Sequence, residues 1–137
     1  ILAAGARLNI PITIHVAIGT DIVHMHPGIS GEDIGGSSHI DFKILTTFIS
    51  QLTNGIWLNV GSAVIMPEVF LKALTAANNL AGKVDNFTTV NMDMLRQYRA
   101  ETNVVKRPTS KGYTIIGHHE IMVPLLYAGV ISMLKSV

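Results

Sequence analysis

The chain has 137 residues, 48% of them apolar and 14% charged, with ten Lys and Arg against nine Asp and Glu for a formal net charge of +1. That length suits one domain with a sizeable core, and that balance, with no basic stripe interleaved with aromatics, argues against a disordered chain or a nucleic-acid binder. The absence of cysteine excludes disulfides, thiol nucleophiles and cysteine-ligated zinc. With no secretory signal pattern and no apolar run long enough to span a bilayer, a cytoplasmic setting away from the membrane is expected.

The chain opens at Ile1 on a helix-type piece, "ILAAGARLN". The expectation is therefore a single α/β domain over residues 1–137, forming the C-terminal part of a longer polypeptide. The first β-type run is "ITIHVAI" (12–18), apolar nearly throughout as in strands buried on both faces. After it comes "GTDIVHMHPGISGEDIGGSSHIDF" (19–42), rich in glycine, histidine and acid. Its second half reads as a flexible connection into a helix that begins at Asp41, a suitable N-cap, with Phe42, Leu45, Ile49 and Leu52 at helical spacing. The next run, "IWLNV" (56–60), reads as a buried strand and leads through Gly61-Ser62 into a helix over 66–82. There Met66, Phe70, Leu74 and Ala77 share one face, Pro67 and Glu68 suit the first turn and Gly82 the end. "NFTTVNM" (86–92) is more polar, which suggests a strand near a sheet edge. The stretch 96–112 reads as a loop carrying five of the ten Lys and Arg residues. "YTIIG" (113–117) is the last strand, followed by an apolar helix with Pro124 near its first turn that is expected to be buried.

Strands alternating with helices imply βαβ units, a mostly parallel sheet and a Rossmann-like, doubly wound fold. Four strands is thin for such a sheet, so further elements or an obligate partner are expected. In open parallel sheets, ligands bind beyond the carboxyl ends of the strands. The strand exits here are Thr20-Asp21 with His24 and His26, then Gly61-Ser62, then Asn91 to Asp93, then His118-His119-Glu120. All are polar or glycine-bearing while the strand interiors are apolar. Backbone N–H groups at Gly61-Ser62 could meet a phosphate or carboxylate, although no GxGxxG or Walker A pattern is present. The same turn is equally an ordinary strand-to-helix connection.

Two further groups carry chemistry. His24, His26, Asp21 and one of His118 or His119 supply ligand types that zinc accepts. In an extended segment His24 and His26 point the same way, whereas His118 and His119 diverge. Lys111, in "RPTSKGY", is a candidate amine nucleophile once desolvated and a solvated surface lysine otherwise. His15 reads as a hydrogen-bonded core histidine, and His39 as a surface residue near a helix start.

The order of motifs resembles the deoxyhypusine synthase family and its bacterial relatives, from about Ile10 to Ile131. The carrying stretches are "IPITIHVAIGTDI", "WLNVGSAVIMPEVFLKALTAANNL", "FTTVNMD", "RPTSKG" and "TIIGHHEIMVPLL". The resemblance implies an NAD-binding, Rossmann-like homotetramer with sites between subunits. Its reaction oxidises an amine with NAD and captures the resulting group on a lysine before transfer. It implies cofactor contacts at Thr20, Asp21, Gly61, Ser62, Asn91, Asp93 and His118. Lys111 would form the imine, while His24, His119 and Glu120 move protons. Two departures stand out: Ser110 replaces the family's tryptophan before the lysine, and Ile65-Met66-Pro67 replaces a histidine pair. Three readings follow: an NAD-dependent transferase acting on an amine or amino-acid-like substrate, a metal-dependent hydrolase using His24/His26 and His118/His119, and a non-catalytic domain that keeps the fold.

Overall fold

The computed structural model describes residues 1–135. Three parallel strands, β1 (Ile56–Val60), β2 (Thr88–Asp93) and β3 (Gly112–Ile116), form one sheet in the order β1-β2-β3. In register, Ile56 to Val60 pair with Thr88 to Met92, and Thr89 to Asp93 pair with Gly112 to Ile116. Helix α1 (Leu2–Leu8) precedes the sheet, and α2 (Gly31–Ile49) leads into β1. Helix α3 (Ile65–Ala81) crosses from β1 to β2. A short α4 (Tyr98–Ala100) continues into a π-helical turn, Glu101–Lys106, which crosses to β3, and α5 (His119–Leu134) follows.

The core lies between the sheet and α2/α3. Phe70, Ala73, Leu74 and Ala77 form the buried stripe of α3 and meet Ile49 of α2, Val84, Phe87 and Val104. Trp57 of β1 stacks on Phe70 with ring centroids 4.3 Å apart, and Phe87 meets Phe70 edge-on at 6.5 Å. Each fully buried aromatic or branched side chain of this group contributes about 1.5–3 kcal/mol. Glu68 ties α3 to the α4/π segment, accepting from Lys72 Nζ at 2.6 Å, Arg99 Nη1 at 2.6 Å and Asn103 Nδ2 at 2.8 Å. The hydrogen bonds from Lys72 and then Arg99 hold its carboxyl below the ordinary value.

The two faces of the sheet differ. Trp57, Asn59, Thr89, Asn91, Asp93 and Thr114 point to the helices, and most of them are polar. The side chain of Thr114 donates to Glu101. The opposite face presents Ile56, Leu58, Val60, Tyr113 and Ile115, each between 43% and 64% exposed. The first half of α5 leans over part of that face, and between them lies an open groove of about 310 Å³ lined by Met92, Ile115, Met122, Leu125 and Leu126.

Several expectations change. Among the described residues the run 12–18 pairs with no strand; Ile14 N–H donates instead to Asp41 Oδ2 of α2 at 2.8 Å. The run 86–92 supplies the central strand and not an edge, because its polar residues face the helical layer inside the fold. Helix α2 starts ten residues before Asp41: Ser30 caps it, accepting from Asp33 N–H at 3.2 Å, and Glu32 and Asp33 complement the helix dipole. These contributions offset the helix cost of Gly35 and Gly36. His39 therefore sits mid-helix, exposed. The stretch expected as a loop is helical from Tyr98 to Lys106, with Asn103 and Val104 buried. Helix α5 is apolar but exposed, Met122 being its buried residue.

His15 is half-buried, 2.9 Å from Thr13 Oγ1 through Nε2. Burial pushes its pKa below the ordinary 6.5, and the Asp41 carboxylate offsets part of this. The folded chain therefore favours the neutral ring. Its stabilising contribution is whole above pH 6.5 and is lost as the pH falls through the lowered value. Urea midpoints of the native chain are expected to fall below pH 6.5, and those of His15→Gln to fall less over the same interval.

Candidate functional site

The carboxyl ends of β1, β2 and β3 gather one part of the strand-exit set. Gly61 N–H donates to Met92 O at 2.9 Å, and Gly117 N–H to Asp93 O at 3.0 Å, so pairing continues one residue past each edge strand. Gly61 adopts φ 66°, a left-handed conformation that favours glycine. A methyl group on Gly61 would lie 3.1 Å from His119 Nε2. The imidazole from the start of α5 thus rests against the turn that leaves β1. His119 Nδ1 is buried and has no hydrogen-bond partner among the described residues. Ser62 Oγ accepts from Met66 N–H at 3.1 Å and so closes the first turn of α3.

Beneath this turn lies a polar pair that pattern reading missed in part. Asn59, 2% exposed, donates through Nδ2 to Ser62 O at 2.9 Å and to Asn91 Oδ1 at 2.7 Å. Asn59 Oδ1 and Asn91 Nδ2 are buried without partners among the described residues. A buried amide inside an otherwise apolar run was the available signal for Asn59, because such a group must be satisfied by something close. Asn91 and Asp93 support the site from below and are not presented to solvent: Asn91 is fully buried, and Asp93 Oδ1 accepts from Met94 N–H at 2.7 Å. His118 and Glu120 are exposed at the start of α5, where His118 O accepts from the N–H groups of Ile121 and Met122.

The remaining residues lie elsewhere. Thr20, Asp21, His24 and His26 belong to a self-contained turn. Thr20 Oγ1 donates to Ala17 O at 2.7 Å, His24 Nδ1 sits 3.0 Å from Asp21 O, and Gly28 N–H donates to His26 Nδ1 at 3.1 Å. Lys111 stands at the amino-terminal end of β3, exposed, with Nζ donating to Asn86 Oδ1 at 2.6 Å. In a parallel sheet that is the opposite end from Gly61 and His119. Five residues of β3 separate the two ends by roughly 17 Å.

Among the described residues, no three His, Asp or Glu side chains gather closely enough to hold a metal ion. The expected grouping of His24 and His26 with His118 or His119 therefore does not form, and the hydrolase reading lacks its ligand set. No helix among these residues is long and apolar enough to cross a membrane. No family model, curated protein or solved structure matches the chain.

Proposed function

We propose that the chain is an NAD-dependent, deoxyhypusine synthase-like transferase acting on an amine or amino-acid-like substrate. The fold would complete as a doubly wound, Rossmann-like sheet in a homotetramer. The observation that carries this reading is the convergence of Gly61, Ser62 and His119 at the carboxyl end of a parallel sheet. Ligands meet α/β sheets at that end, and a side chain on Gly61 would fill the space below His119. Ser62 would lend its backbone N–H to the pyrophosphate, while Gly61, whose own N–H is engaged by Met92 O, would let the ligand approach closely, and His119 would contact a polar group of the ligand. NAD, when bound, supplies a hydride acceptor for the amine's α-carbon.

Lys111 would add its amine to the oxidised substrate carbon, displace the substrate's own nitrogen as a free amine, and hold the remaining group as an imine until transfer. Because Lys111 stands at the other end of the sheet, that step needs a neighbouring copy whose amino-terminal edge faces this carboxyl end. The readout is calorimetric NAD titration beside borohydride trapping with amine and NAD. Gly61→Ala is expected to weaken NAD binding by at least about tenfold through backbone strain and the lost space. Lys111→Ala is expected to keep NAD affinity and lose trapping. A native chain that binds NAD but never traps amine on Lys111 overturns the imine role.

A further inference from the structure

Four buried polar atoms stand together on one small patch of the sheet. In the register of β1 with β2, Trp57 lies beside Thr89 and Asn59 beside Asn91, all on the face toward the helices. Trp57 Nε1, Asn59 Oδ1, Thr89 Oγ1 and Asn91 Nδ2 have no hydrogen-bond partner among the described residues. Asn59 is 2% exposed, and Thr89 and Asn91 are 0% exposed. Neighbouring strands lie about 4.8 Å apart and alternate residues of one strand about 6.6 Å apart, so the four groups frame a patch no wider than one small molecule. Buried polar groups are rarely left unpaired, because each one left so costs its full desolvation.

We propose that this patch is an internal water site, in which one ordered water joins Trp57, Asn59, Thr89 and Asn91. The inventory of donors and acceptors fits a single tetrahedral molecule. The indole N–H of Trp57 and the amide N–H of Asn91 only donate, Asn59 Oδ1 only accepts, and the Thr89 hydroxyl does either. The water oxygen takes the two N–H donors, and its two protons go to Asn59 Oδ1 and Thr89 Oγ1. Four bonds lie within the range that a buried water makes. A cation would be repelled by the two N–H groups and an anion by Asn59 Oδ1, so a neutral ligand that both donates and accepts is the one that matches. Rearranging the amides offers no substitute. Turning Asn59 over would set its oxygen against Ser62 O and Asn91 Oδ1, which its Nδ2 now serves at 2.9 and 2.7 Å. Turning Asn91 over would set donor against donor. The water thus secures the amide orientation through which Asn59 holds Ser62 O, and with it the turn after β1. None of this depends on the NAD reading.

The chain has one tryptophan, so its indole proton gives a single resonance. In the native chain that proton and the Asn91 Nδ2 protons are expected to show dipolar cross-peaks to a long-lived water, with the indole proton exchanging slowly with bulk solvent. Thr89→Val replaces the hydroxyl by a methyl of similar size. It is expected to raise the unfolding constant by about 5–30-fold in urea titrations and to weaken both cross-peaks, whereas Thr89→Ser keeps them. A dry, unpaired hydroxyl gives the opposite sign, because its removal relieves desolvation and Thr89→Val then folds as well as the native chain or better. That sign overturns the site. So does a protected indole proton without a water cross-peak, or an indole proton that exchanges as fast as an exposed one. Should Thr89→Val fail to fold, the cross-peaks of the native chain decide alone.

Discussion

Replacing Phe70 with alanine is expected to destabilise the chain by about 3–5 kcal/mol, a large part of a domain's whole stability. Phe70 is fully buried, stacks on Trp57 and meets Phe87 edge-on, so its ring is shared by α3, β1 and the entry to β2. Truncation removes the transfer term of the ring, opens a cavity between helix and sheet and breaks two aromatic contacts at once. Phe70→Leu, which keeps most of the volume, should cost about 1–2 kcal/mol. Urea denaturation of both variants checks the ordering. Equal midpoints for Phe70→Leu and Phe70→Ala would mean that the site collapses around the loss.

Gly112→Ala is expected to be comparably severe, at about 3 kcal/mol or more. A methyl group there would press into the backbone of Val105, against its carbonyl oxygen, carbonyl carbon and Cα. No flexible side chain can swing away to relieve the contact. The π-helical turn at Glu101–Lys106 is wider than an α-helical one and brings Val105 against the first residue of β3. The same turn buries Asn103 and Val104, so moving it disturbs the core as well. Gly129→Ala, with open space around it on exposed α5, serves as the control and should be neutral or slightly stabilising. Thermal melts of the two variants would separate the close approach from a general intolerance of alanine for glycine.

The parts of the fold that were legible in the sequence are those where local pattern and tertiary burial agree. "IWLNV" reads as a strand because its β-branched and aromatic residues need a sheet, and β1 occupies that run. The helix over 66–82 announces itself through Phe70, Leu74 and Ala77, and α3 differs by one residue at each end. Legibility fails where one face of an element carries polar groups into the interior. Thr89, Asn91 and Asp93 make β2 look like an edge, yet they face a helical layer that itself offers polar partners. It also fails in the glycine-rich start of α2, where Ser30 and two first-turn acids outweigh propensity. The isolated run 12–18 has a strand's composition, but composition cannot say which edge a strand pairs with.

The candidate site was legible as a set of strand exits. Its division into two ends was not, because a lysine just before a strand and a glycine just after one look equally close to the sheet in sequence. The register separates them. Gly61 and His119 share the carboxyl end, and Lys111 and Asn86 share the other. The missed residue, Asn59, acts through Ser62 O, holding the turn whose backbone would face the ligand.

The central claim is that a nucleotide cofactor binds at the carboxyl end of this sheet. Mapping backbone amide shifts during titration with NAD tests it residue by residue. The account predicts saturable movement of the Gly61, Ser62, Ala63 and His119 amides, while those of Lys111 and Asn86 stay fixed in the single chain. Shifts confined to the Lys111 and Asn86 end, or none in a folded chain at millimolar NAD, would contradict it.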